Sequence, residues 1–214
     1  MKNKSDNESV LALNYISKQS PEFIKFSEQT GILKLNAIKD RSIFISLVRA
    51  VISQQISGKA SEKIYSNLVE NIGNKNLLTP NNIIEANLND LNHSGISRNK
   101  SICIKEIALG VTNKQIPTFN KMSKMNNQEI IESLTKIKGI GTWTAEMILI
   151  FKLGRKDILP IKDLAVLRGF QNLYNYYEKD SINILHKTSL KWKPYRSYAT
   201  LYLYKAAGTK SIVA

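Results

Sequence analysis

The stretch Lys138-Gly139-Ile140-Gly141-Thr142-Trp143-Thr144-Ala145 lies between two apolar patterns of helical period, and its reading decides the fold. Upstream, Ile130, Ile131, Leu134 and Ile137 share one helical face after a start signal at Asn126 to Glu129. Downstream, residues 144 to 153 are almost continuously apolar and stop at Gly154, the pattern of a buried central helix. The two glycines of the connecting hairpin permit backbone angles and close approaches that a side chain obstructs. Amides at the start of the second helix then point outward, and such a helix end is a ready anion site for a phosphate. The hairpin carbonyls are also candidate ligands for a monovalent cation. An ordinary interhelical turn has the same Gly-x-Gly spacing, so the motif takes its meaning from its surroundings.

Working outward, helical period prevails almost everywhere. From Ser42, the residues Ile43, Phe44, Leu47, Val48, Val51 and Ile52 form a core-facing stripe that should end near Ser53. Ala60, Ile64, Tyr65, Leu68, Val69 and Ile72 form the next, closed by Gly73, and Thr79-Pro80 supplies an N-cap with proline at the first helical position. Ile102, Ile104, Ile107, Ala108 and Val111 predict a further helix. Near the start, Ser5 and Glu8 have the spacing of a capping box before Val10, Leu11, Leu13 and Ile16, and Pro21 begins a second short helix. No alternating strand pattern competes, so the expected fold class is all-α.

Composition narrows the partner. The 214 residues suffice for one lobe or two small packed lobes, and 43% hydrophobic content supplies a core. With 31 Lys and Arg against 17 Asp and Glu, the net charge of +14 attracts polyanions, nucleic acid first. An anionic membrane surface competes as a partner, yet no apolar run approaches the roughly 20 residues that span a bilayer. The polar start, Met1 to Glu8, lacks the apolar core of a signal peptide. The expectation is a soluble, intracellular protein, cytoplasmic (at the nucleoid in a prokaryote) or nuclear. Cys103 stands alone, which excludes an intrachain disulfide, a four-cysteine iron–sulfur cluster and a cysteine-rich zinc site, and its setting between Ile102 and Ile104 suits a small buried residue. His93 and His186 lie far apart without ligands at helical spacing, and both read as turn or surface residues.

The sequence Leu134-Thr135-Lys136-Ile137-Lys138-Gly139-Ile140-Gly141-Thr142-Trp143-Thr144-Ala145-Glu146-Met147, followed by Leu159-Pro160-Ile161-Lys162-Asp163-Leu164-Ala165-Val166-Leu167-Arg168-Gly169, resembles the helix-hairpin-helix (HhH-GPD) base-excision DNA glycosylases. Within them it is most similar to the DNA-3-methyladenine glycosylase II type. Leu47 to Ser57, Ser94 to Lys100 and Trp192 to Ala199 are similar to the same branch, so the resemblance covers residues 42 to 208 in matching order and spacing.

That resemblance implies two helical lobes with DNA and an active-site cleft between them. Residues 41–157 would form the central lobe with the hairpin, and residues 1–40 plus 158–214 the second. It further implies that Lys138, Gly139, Gly141 and Thr142 grip the lesion strand, and that carbonyls of Thr135, Ile137 and Ile140 are candidate ligands of a structural Na or K ion; no other cofactor is required. Gln55 and Ile56 fall where the family places a wedge that fills the gap left by an extruded nucleotide, although Gln and Ser at a helix end also make an ordinary cap. The partner is double-stranded DNA carrying damaged bases, and a monomer suffices to wrap it.

Asp163 is the candidate catalytic residue. Breaking a glycosidic bond develops positive charge on the sugar, which a carboxylate stabilises while orienting or deprotonating water. Before Leu164-Ala165-Val166-Leu167 it equally suits a helix N-cap, and the two roles are compatible. Bifunctional relatives carry a lysine where this chain has Trp143, so the resemblance implies a monofunctional enzyme without Schiff-base chemistry. Trp143 and Trp192 are candidate faces for an electron-poor methylated base, with Met147 where well-described members have an aromatic. Tyr195, Tyr198, Tyr202 and Tyr204 read as core. The expected function is excision of alkylated purines from DNA. The alternatives are a glycosylase for hypoxanthine, uracil or oxidised guanine, and a noncatalytic module that binds damaged DNA, which would have no need of Asp163.

Overall fold

The computed structural model of the chain describes residues 4–38 and 42–209, the first three of these through their backbone only. The fold is helical, and among the described residues the β pairing is a single isolated bridge, Asn74 to Leu77. No described helix is long and apolar enough to cross a membrane. The chain divides into two compact units: one joins the residues up to Ala37 with those from Leu149 onward, and the other runs from Ile38 to Ile148.

Helices α1 (Lys4–Gln19) and α2 (Glu22–Thr30) open the first unit. Because α1 already runs from Lys4, Ser5 lies inside its first turn, and the capping box read at Ser5 and Glu8 is not its start; Glu8 instead pairs with Lys156. Pro21 precedes α2 as read.

The second unit holds α3 (Ile43–Ser53), α4 (Gly58–Ile72), α5 (Pro80–Glu85), α6 (Leu88–His93), α7 (Arg98–Thr112), α8 (Phe119–Lys124), α9 (Asn127–Thr135) and α10 (Thr142–Met147). Its short helices start on side-chain caps: Ser42, Ser57, Thr79, Asn87, Thr118 and Asn126 each accept from a first-turn amide. These caps satisfy donors that the helices themselves cannot reach. α3 is buried on nearly every side, which its continuous apolar sequence requires. Its buried Arg49 is reconciled with that setting by an ion pair to Glu62 and by the face of Tyr65, 4.3 Å from the guanidinium. The apolar run after the hairpin is helical as read, but α10 gives way to a π-helical turn, Ile148–Lys152. Gly154, at φ +66°, ends it with amide bonds from Gly154 to the Ile150 carbonyl and from Arg155 to the Leu149 carbonyl.

The rest of the first unit comprises α11 (Leu164–Tyr174), α12 (Ser181–Ser189), a 3-10 turn (Leu190–Trp192) and α13 (Arg196–Ala206). Phe23 organises its core, with Trp192 edge-on at 5.2 Å and Tyr202 at 6.0 Å between ring centroids. α11 and α13 meet backbone to backbone at Gly169, where an added Cβ would lie 1.9 Å from the Leu203 carbonyl oxygen. Gly169→Ala should therefore destabilise the protein beyond the about 1–3 kcal/mol of ordinary overpacking, because the obstacle is backbone rather than a flexible side chain. Chemical denaturation checks this; an unchanged midpoint would refute the close packing.

Candidate active site

The hairpin runs from the end of α9 at Thr135 to the start of α10 at Thr142. Ile137 and Ile140 turn inward and are buried, while Lys136 and Lys138 face solvent. Ile137 donates its amide to the Leu134 carbonyl, and Ile140 to that of Ile137, at 3.1 and 3.0 Å. Gly139 has φ +90°, and a Cβ there would also meet Cys103 Cβ at 2.7 Å and Sγ at 2.8 Å. Two independent constraints thus demand glycine at this point. They also give Cys103 its role as a small buried floor under the turn, where burial, reinforced by Glu106, pushes its thiol up to about 11. Gly141 differs: a Cβ there would meet nothing within 4 Å, and no side chain at this N-cap position accepts from the first amides of α10. The fold itself does not fill the space outside Gly141, which suits close approach by a phosphate.

Beside the hairpin, in the same unit, lies the turn from α3 to α4. Gln55 occupies a left-handed conformation at φ +60°, unusual for a residue with a side chain, and both Gln55 and Ile56 are exposed. Gln54 ties this turn to α10 by donating from Nε2 to Thr144 Oγ, 2.9 Å away. Lys100, in the first turn of α7, donates from Nζ to the Ile52 carbonyl at 2.9 Å and the Gln54 carbonyl at 2.6 Å. A cation at the start of its own helix costs about 0.3–1 kcal/mol, whereas hydrogen bonds to charged groups are worth about 1.5–3 kcal/mol each. The contact with α3 therefore prevails, although burial lowers the lysine's affinity for its proton.

In the first unit, Asp163 caps α11. Its Oδ1 accepts from the Ala165 amide at 2.7 Å and the Val166 amide at 3.4 Å, and its Oδ2 accepts from the Tyr204 hydroxyl at 2.8 Å. The carboxylate is thus fixed from both sides while remaining partly accessible. The connector leading to it is anchored on α13. Arg196 grips Asp157 through Nε to Oδ1 at 2.6 Å and Nη2 to Oδ2 at 3.0 Å, and Ser197 Oγ accepts from the Ile158 amide at 2.9 Å.

Two expected pocket residues are buried. Trp192 is fully buried, packed on Phe23, and donates its indole N–H to Ser20 at 3.0 Å, so both ring and polar edge are committed to the core. Met147 is likewise buried at the end of α10, 1% exposed, and presents no surface to a base. Trp143 is half-buried in the first turn of α10. Tyr198 and Tyr202 are core as read, and Tyr202 accepts the Leu33 amide at 3.1 Å. Tyr204 is buried too, but its hydroxyl serves Asp163, which the reading of its ring as core missed. The partners of Lys100 lie 46 and 48 residues away across the unit, and no neighbouring residue signals them. His93 and His186 are exposed, as expected.

The sequence matches the family described as HhH-GPD superfamily base excision DNA repair protein over residues 48–194. The DNA-3-methyladenine glycosylase 1 of Schizosaccharomyces pombe is 33% identical over 171 residues, covering 80% of this chain and 75% of the relative. The alkylbase DNA glycosidase-like protein mag2 of the same yeast is 30% identical over 201 residues, 94% of each chain. Among solved structures, the S. pombe 3-methyladenine DNA glycosylase in complex with abasic DNA matches with a TM-score of 0.84 at 32% identity, covering 91% of this chain and 95% of that one. A DNA-3-methyladenine glycosidase from Bacillus halodurans matches with a TM-score of 0.76 at 34% identity, covering 92% and 89%. A family match that spans the hairpin, the turn from α3 to α4 and Asp163 alike makes this chain a member of the HhH-GPD superfamily of base excision DNA repair proteins.

Proposed function

We propose that the protein is a monofunctional DNA glycosylase that flips alkylated purines out of duplex DNA and hydrolyses their N-glycosidic bond. The observation that carries this reading is Asp163, held through Oδ1 by the start of α11 and through Oδ2 by Tyr204. The names of the relatives, 3-methyladenine and alkylbase glycosylases, support the substrate class. Gly139, Gly141 and Thr142 let the hairpin receive the backbone of the lesion strand, Lys138 adds charge, and Gln55 with Ile56 fill the gap left by the extruded nucleotide.

Chemically, the bond from the sugar C1′ to the base nitrogen breaks and the base departs with the bonding electron pair. An alkylated purine already carries a positive charge, so it leaves as a neutral base without an acid to protonate it. The Asp163 carboxylate stabilises the positive charge that develops on the sugar, and water adds at C1′, giving up its proton to that carboxylate, and from it to solvent, to complete the abasic sugar. A single carboxylate suffices for this division of labour. The hairpin carbonyls of Thr135, Ile137 and Ile140 are neutral oxygens suited to a monovalent cation; Ile137 O already accepts from Ile140 and retains a second lone pair. Such an ion would add positive charge against the phosphate.

Asp163→Asn should lower single-turnover release of methylated bases by at least about 10²-fold. Asparagine is as good an N-cap, so the fold and duplex binding should persist. Equal release by parent and variant would favour the noncatalytic DNA-binding reading. With Trp143 in place of a Schiff-base lysine, borohydride reduction during turnover should trap no covalent protein–DNA adduct. Efficient trapping would make the enzyme bifunctional.

A further inference from the structure

We propose that Lys100 is a positioning residue for nucleotide extrusion, its ammonium clamping the end of α3 so that the Gln54–Gln55 turn presents Gln55 and Ile56 as a rigid wedge. The proposal rests on the reading of Gln55 and Ile56 as the wedge. A helix leaves its last carbonyls without intrahelical partners. At the end of α3 each has a donor: Ser53 Oγ serves Ala50 at 2.9 Å, the Gln54 amide serves Val51 at 3.3 Å, Lys100 Nζ serves Ile52 at 2.9 Å and the Ile56 amide serves Ser53 at 3.4 Å. Lys100 also reaches past the helix, to the Gln54 carbonyl at 2.6 Å, one residue before the left-handed Gln55. Such a conformation is disfavoured for a residue with a side chain, so contacts that hold the turn stabilise it. Here Lys100 supplies such a contact from α7, and the Gln54 to Thr144 bond supplies one from α10.

The placement of Lys100 indicates that this contact is the purpose of the residue. Its charge sits at the unfavourable end of its own helix and is partly desolvated, so a simple structural position would favour a neutral side chain. Extruding a nucleotide works against stacking and pairing, and a wedge that yields under that load loses its effect.

The test is the equilibrium preference for a duplex carrying a tetrahydrofuran abasic analogue over an intact duplex, a readout that needs no catalysis. Lys100→Met should reduce this preference about tenfold, the size of one lost charge-assisted hydrogen bond. Affinity for the intact duplex should stay within about twofold. Gln55→Ala should show a comparable loss, and the double variant should lose little more, because Lys100 acts through the turn. Lys100→Arg keeps charge and stem but cannot place one nitrogen between both carbonyls. It should fold and show an intermediate loss, which decides the matter if the methionine variant does not fold. Unchanged preference in the Lys100 variants, with loss in Gln55→Ala, would overturn the role of Lys100 and leave the wedge reading standing. Unchanged preference in Gln55→Ala would overturn the wedge reading and this proposal with it. Multiplying losses in the double variant, or equal weakening on both duplexes, would also overturn it.

Discussion

Every helix ends in backbone groups that its own turns cannot satisfy, and this chain, built of many short helices, meets that constraint at more termini than a bundle of long ones does. Six starts are met locally, by a serine, threonine or asparagine immediately before the helix. The starts of α2, α7, α12 and α13 have no side-chain cap, and three further termini differ from the local solution in their own ways. Gly141 leaves the start of α10 without a side-chain cap, Asp163 caps α11 with an ionisable group, and Lys100 closes α3 from another helix. These three lie at the hairpin, the candidate carboxylate and the turn from α3 to α4. At these places the treatment of a helix end is also what the proposed chemistry depends on.

Close packing then sets how well each is held. At the hairpin, Gly139 sits on Cys103 with no room for a methyl group, so the turn has one seat and one conformation. In the other unit, the contact of Gly169 with the Leu203 backbone brings α13 against α11, and Tyr204, the next residue, reaches Asp163. Gly139 lets the hairpin seat on a side chain and Gly169 lets two helix backbones approach closely, contacts that a Cβ would prevent.

The distinction between local and distant causes also explains what could be read from the sequence. The helices with strong stripes, their caps at Ser42, Thr79 and Asn126, the glycine stop at 154 and the capping potential of Asp163 are properties of neighbouring residues, and all were legible. The short α6, α8 and α12 were not resolved, because six to nine residues carry too little periodicity. The fate of Trp192 was decided by Ser20 and Phe23, and that of Lys100 by carbonyls 46 and 48 residues away. An aromatic or a lysine looks the same in sequence whether it serves a core or a ligand; only the fold supplies the partner. The π-helical turn after α10 was hidden by an apolar run that is equally regular in either helix type.

The burial of Trp192 and Met147 bears on how an alkylated base is distinguished from a normal one. With both committed to cores, Trp143 is the remaining aromatic of the expected pocket set, and stacking on one half-buried ring offers limited discrimination between purines of similar shape. The histidines are exposed on surface helices, and the candidate catalytic group is a carboxylate engaged by two amides and a hydroxyl. In the proposed mechanism such a carboxylate stabilises the sugar cation and does little to improve a poor leaving group. A normal purine must be protonated to depart, whereas a cationic lesion departs as it stands. On the proposed mechanism, selectivity therefore resides largely in the bond being broken: any purine that enters is tested by its own readiness to leave, and a lesion need only be labile, not tightly recognised.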